Sequence, residues 1–206
     1  MRKACVLTFL LLLSCALGAQ ERGAWYHHLD YGVEWGYSGT FWDDYHYNYI
    51  SASGARLDSQ DSRLTFKSNG HLYAFLGARF ARIFATDMLV GWAGVYEGRR
   101  VIPVTLRASA FARGYDRDGL KLFVEGGRCY APSFAGKHIW MGKLGGGYRI
   151  MLDRDFALDL SLSLQAVTDH PVGVYDHNRD EIVPDENLRR SDSRYHSLNL
   201  SVALCF

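Results

Sequence analysis

Past residue 19 this chain keeps only Cys129 and Cys205 of its 4 cysteines. An exported fold stapled by disulfides carries more than that. An excess of one charge is missing too. Taking Arg2 and Lys3 from the 23 basic residues leaves 21 against 22 acidic ones. That balance excludes a nucleic-acid groove or a polybasic membrane patch argued from charge. After the first residues no apolar run approaches the ~20 residues of a membrane helix, and no long helical period is present. The motifs CxxC, HExxH, GxSxG and a phosphate loop are all absent. No metal or cofactor is therefore expected. His27 and His28 are adjacent, so on a strand they point to opposite faces and cannot chelate together.

What is present is aromatic side chains, at 14% of the chain, and 21 glycines beside only 4 prolines. The start reads as a targeting segment, residues 1–19. Arg2 and Lys3 precede an apolar run, and Leu17-Gly18-Ala19 supplies small residues for cleavage near Ala19. Cys15 offers a rival lipoprotein-type cleavage and lipidation point. Residues 20–206 then suit one domain.

Strict alternation organises that domain. At 195–206, Leu198, Leu200, Val202, Leu204 and Phe206 share one parity, and Ser197, Asn199, Ser201, Ala203 and Cys205 the other. At 29–38, Leu29, Tyr31, Val33, Trp35 and Tyr37 oppose Asp30, Gly32, Glu34, Gly36 and Ser38. Further strands are predicted at 71–78, 84–96, 101–112, 120–129, 138–152 and 156–166. Three connections on one side are short, near 79–83, 114–119 and 153–155. Two on the other side are long, near 39–70 and 168–194, and part of 39–70 is open to extending its two strands above the membrane. Short turns at one end, long loops at the other and an even strand count describe a barrel that faces lipid. The predicted class is all-β, an eight-stranded antiparallel up-and-down transmembrane β-barrel with two long outer loops.

These pieces carry a resemblance. Gly-Val-Glu-Trp-Gly-Tyr in the first strand, Gly-Gly-Gly-Tyr-Arg-Ile in the sixth, the Leu/Ser alternation of the seventh and terminal Phe206 resemble small outer-membrane barrels of the OmpA/OmpX type. The stand-alone outer membrane protein β-barrel families of Gram-negative bacteria are especially similar. The resemblance implies a bacterial outer-membrane location, a lipid surround and a monomer. It also implies that Leu200, Val202, Leu204 and Phe206 form the signal read by the barrel-assembly machinery. Leu198 stands where an aromatic is common. The family implies no single activity.

Parity sends Glu34, Asp87, Arg107, Lys121, Glu125, Lys143, Arg149 and Asp159 inward. Four acids and four bases in a tube just wide enough to be filled by side chains predict a paired network rather than a pore. The expected role is structural, or surface interaction with an unidentified ligand at the outer loops. One alternative is a lipid-modifying enzyme with its site at the outer rim. Ser38 would be its nucleophile and His71 its base, with Glu34 below them. The other is a soluble periplasmic lipocalin-like barrel, which would carry apolar residues inside and charges outside. Cys129 and Cys205 are expected at opposite ends of the barrel, too far apart to bridge.

Overall fold

The computed structural model describes residues 29–51, 54–96, 99–131, 139–154, 156–171, 175–176 and 181–206. The leader with its cleavage point and Cys15, and the pair His27-His28, lie outside the described residues. The eight ring strands are β1 (Leu29–Ile50), β2 (Arg56–Ala81), β3 (Phe84–Tyr96), β4 (Arg99–Phe111), β5 (Gly119–Tyr130), β6 (Ile139–Met151), β7 (Ala157–Asp169) and β10 (Leu188–Cys205). They close in the order β1-β10-β7-β6-β5-β4-β3-β2, each antiparallel to its neighbours. A small hairpin, β8 (Tyr175–Asp176) with β9 (Glu181–Ile182), lies between β7 and β10.

The alternation explains the wall. Leu158, Leu160, Leu162 and Leu164 of β7 face Leu204, Val202, Leu200 and Leu198 of β10 on the outside. Asp159, Ser161, Ser163 and Gln165 are buried inside. The exterior is apolar along most of its height: Trp35, Leu106, Leu122, Val124, Leu144 and Leu162 are all exposed. Trp92, Tyr130 and Trp140 stand toward the upper end and Phe80, Phe84 and Phe206 toward the lower. Phe206 stacks on Tyr31 at 5.7 Å, and its backbone N–H donates to the Tyr31 carbonyl. Cys129 and Cys205 are free and buried.

Two outer segments differ from the expectation. In the stretch 39–70 the strand extension takes in nearly all of the residues rather than a part. β1 runs on to Ile50, and the chain returns as β2 from Arg56. Phe41 makes a bulge against β10, where the register steps from Thr40↔Ser197 to Trp42↔His196. The parity therefore slips by one residue and hides the strand from a reading by alternation. The connection 168–194 is likewise shorter, because β7 continues to Asp169 and β10 starts at Leu188. β10 pairs with the tall part of β1 up to Tyr49↔Leu188.

The result is a three-stranded ribbon of β2, β1 and β10 rising beyond the last β10–β7 pair, Ser193↔Asp169, by about 17 Å along β1 for residues 46–50. β2 pairs with β3 only from His71↔Ala93 downward. On the ribbon, Leu64 and Phe66 are 67% and 87% exposed. The hydroxyl of Ser62 and the indole N–H of Trp42 donate to Asp44 and hold its carboxyl below the usual range.

Candidate functional site in the lumen

The lumen is built in layers from cross-strand pairs. Arg149 and Asp159 are directly opposite on β6 and β7. Arg149 Nε donates to Asp159 Oδ1 at 2.6 Å and Nη2 to Oδ2 at 2.8 Å. Lys121 Nζ reaches the same Oδ2 at 2.7 Å. The guanidinium of Arg149 lies against the rings of Phe111, at 4.5 Å, and Tyr115, at 3.9 Å. Tyr115 donates its hydroxyl to Asp30. Tyr115 belongs to the β4–β5 turn and folds up into the barrel, anchored by its N–H to the Arg82 carbonyl. This lower layer is a bidentate ion pair with a second cation, the geometry that makes charge-assisted bonds strong.

The middle layer crosses the lumen. Arg107, Glu125 and Lys143 sit opposite one another in sequence on β4, β5 and β6. Arg107 donates to Glu125 Oε2 through Nη2 at 2.7 Å and Nε at 3.0 Å. It also reaches Glu34 of β1, on the far wall, through Nη1 at 2.5 Å and Nη2 at 3.1 Å. Thr105 adds a hydroxyl to Glu125 at 2.9 Å. Lys143 Nζ lies 3.4 Å from Glu125 and 3.3 Å from the Tyr73 hydroxyl. All these charged side chains are buried. One guanidinium thus binds both walls together.

The upper layer is neutral. Ser38 Oγ lies 3.3 Å from His71 Nδ1, and His71 Nε2 lies 3.8 Å from Glu34 Oε1 without a hydrogen-bond partner. Asn199 donates to Gln165 at 3.2 Å. Above them Thr40 donates to the Val95 carbonyl and contacts Ser197, both at 2.9 Å. Tyr96 stacks on Tyr195 at 4.9 Å, and Arg99 pairs with Asp169. Ser38 and His71 therefore do come together, but not at a rim. They are 2% and 6% exposed under a roof, because the strands carrying them run on past the ring. Glu34, third in that row, is already held by Arg107.

The structure places the inward charges in two clusters. Glu34, Arg107, Glu125 and Lys143 form one, and Lys121, Arg149 and Asp159 the other. Asp87 joins neither. It is opposite Arg107 in the β3–β4 register, yet Arg107 turns away from it, and Asp87 Oδ1 has no hydrogen-bond partner. Asp30 is a further inward acid, buried at the lower end. Arg79 holds an inward position on β2, opposite buried Ala85, and lies on the Tyr115 ring, so these two additions keep the signs balanced. Parity already put Asp30 inward; Tyr115 gave no such signal, since alternation does not reach a turn. Among the described residues no group of three His, Cys, Asp or Glu side chains converges to hold a metal.

Asp87 gives a test. Asp87→Asn removes a buried carboxyl whose Oδ1 has no hydrogen-bond partner. It is expected to leave urea resistance unchanged or raise it by on the order of 1 kcal/mol. A loss above about 2 kcal/mol would make Asp87 a paired member of the network.

The arrangement of inside and outside now decides the class. Charges fill the interior and leucines cover the exterior, the reverse of a soluble ligand-binding barrel, so the lipocalin-like alternative is corrected. The chain is a transmembrane β-barrel. Its even ring of antiparallel strands, with short turns at one end, is of the outer-membrane kind. No family model and no curated protein matches it. Among solved structures, the barrel is similar to the outer membrane protein OprG from Pseudomonas aeruginosa over 86% of this chain and 95% of that one, at 13% identity and a TM-score of 0.46. It is similar to the outer membrane protein AlkL over 88% and 93%, at 15% identity and a TM-score of 0.41. For the outer membrane protease OmpT from Escherichia coli the coverage is 87% and 96%, at 8% identity and a TM-score of 0.41.

Proposed function

We propose that this barrel is a non-conducting outer-membrane protein whose interior is a cross-linked polar plug and whose working surface is the tall ribbon of β1, β2 and β10. The observation that carries the reading is Arg107, which bonds Glu34 on one wall and Glu125 on the other. An ion moving through would have to break that bridge, the Arg149–Asp159 pair below it and the Thr40–Ser197 roof above it. The plug contributes rigidity, and the ribbon presents Leu64, Phe66, Tyr45 and His46 to whatever meets the cell surface. The protein acts as a monomer, and Leu200, Val202, Leu204 and Phe206 on the outward parity of β10 serve as the signal for the barrel-assembly machinery. Purified wild-type protein in planar bilayers is expected to give no steady single-channel conductance. Stable, ion-selective openings would overturn the plug.

A second reading, a lipid-modifying enzyme, has one observation in its favour: the contact of Ser38 with His71 beside Glu34. A working nucleophile needs a base within about 2.6–3.2 Å and a path for substrate. The 3.3 Å separation and the burial of both side chains favour a structural hydrogen bond instead. The enzyme reading requires that Ser38→Ala abolish a change in the cell's lipid profile that overexpression of the wild type produces. The plug reading expects no such change from either protein.

A further inference from the structure

At the lower end of the barrel the β2–β3 turn forms a small basic cup. Its wall is Arg79, Phe80, Ala81, Arg82, Tyr115 and Asp116, around a volume of about 300 Å³. Arg79 lays its guanidinium on the Tyr115 ring at 3.8 Å. Its Nε has no hydrogen-bond partner. Arg82 lies over Gly114, where the backbone has φ +105 and a Cβ would stand 3.2 Å from the arginine side chain. Phe80, Ile83 and Phe84 around the cup are exposed. Aromatic and branched side chains at this level mark the membrane–water interface.

Next along the chain from Arg82 is Ile83, which lines a second and larger hollow. This groove, about 660 Å³, lies against the outer wall between Ala110, Leu122, Gly146, Tyr148 and Leu162. It exists because small residues interrupt the apolar exterior. Ala110 and Gly146 hold outward positions that leucines and aromatics occupy on neighbouring strands. The Ile83 carbonyl accepts the Phe111 N–H, so the turn with the cup is tied to the strand at the groove's edge.

We infer that the cup and groove together hold one phospholipid of the inner leaflet. The phosphodiester sits between Arg79 and Arg82, and an acyl chain fills the groove. Guanidinium groups bind phosphate through paired, charge-assisted N–H donors. Asp116, the one acid in the cup wall, suits the ammonium of an ethanolamine headgroup. The short turns place this end on the periplasmic side. The inference rests on the barrel lying in a bilayer and does not depend on the lumen being closed.

The test is native mass spectrometry of the whole protein released from detergent micelles after incubation with dioleoyl phosphatidylethanolamine. Heat-modifiable gel migration checks that each variant is folded. Wild type is expected to retain one phospholipid. Arg82→Gln alters an exposed side chain and is expected to lower retention about tenfold, the scale of one charge-assisted hydrogen bond. Gly146→Leu fills the groove and is expected to lower it similarly. Should that variant fail to fold, Arg82→Gln and the ligand controls still decide. Dioleoylglycerol, which has the same chains and no headgroup, is expected to be lost on release. Full retention by Arg82→Gln would overturn the site. Equal retention of dioleoylglycerol would reduce it to an apolar groove. Displacement of the lipid by inorganic phosphate would make the cup a site for soluble anions. None of these outcomes alters the bilayer conductance, so the plug stands or falls separately.

Discussion

Arg107→Met is expected to destabilise the barrel by about 3–5 kcal/mol, the scale for removing one partner of a buried ion pair. The side chain that goes neutralises Glu34 and Glu125 together. Lys143 remains beside Glu125, at 3.4 Å. Glu34 is left with His71 Nε2 at 3.8 Å and no arginine. Methionine fills most of the volume and stays against the Phe123 ring, which Arg107 covers at 4.6 Å, so the loss is electrostatic rather than a cavity. Urea unfolding in lipid vesicles measures it as a lower midpoint at an unchanged slope. Glu34→Gln added to Arg107→Met is expected to recover part of the loss, because the orphaned charge disappears with it. Glu125→Gln alone should also cost stability, and the bases it strands are Arg107 and Lys143. Arg149 is not among them, since it belongs to Asp159. An Arg107→Met barrel as resistant as wild type would mean that the middle layer does not hold the walls together.

Val202→Arg is expected to cost about 2–4 kcal/mol and to reduce the amount of folded protein in the membrane. Val202 is on the outer face of β10, opposite Trp35 of β1 and Leu160 of β7. An arginine there meets hydrocarbon on both sides. Ser201, its neighbour, is buried and contacts Ser161 at 3.0 Å inside the lumen. Ser201→Ala loses one neutral hydrogen bond and should cost only about 1 kcal/mol. The pair is read from heat-modifiable migration of membrane fractions. Normal assembly of Val202→Arg together with failure of Ser201→Ala would turn the wall inside out.

The lumen charges were legible because strand parity is a local property. A residue's face follows from its neighbours two places away, whatever the rest of the chain does. Glu34, Lys121, Lys143 and Asp159 land inward on that ground alone. Their partners were not legible. Asp87 and Arg107 are opposite each other on adjacent strands, yet the guanidinium spans the lumen to β1, a choice set by the diameter of the closed ring. Ser38 and His71 were legible as near neighbours, since β1 and β2 are consecutive. Their depth was not, because it depends on the strands continuing past Thr40. Residues 41–50 hid that continuation for two physical reasons. The Phe41 bulge resets the parity. A ribbon standing in water also needs no apolar face, so aromatic, acidic and histidine side chains mix freely along it. Tyr115 shows a third limit: a turn residue can fill a core that belongs to strands.

The ring closes where β1 meets β10, and the contact of Thr40 with Ser197 joins positions 157 apart in the chain. Every other seam joins strands that follow one another around the ring, apart from the small β8–β9 excursion. Before that last seam forms, β1 and β10 are open edges, and Arg107, Glu125 and Lys143 have no opposite wall. A half-built sheet in hydrocarbon would expose both its unpaired backbone groups and its charges to lipid. Stepwise insertion, strand by strand, is therefore uphill for most of its course. The chain-long contact is slow to find, and it is also the one that makes the membrane a tolerable solvent. Entry into the bilayer and closure of the ring are consequently one cooperative event, with no stable partly inserted state between them.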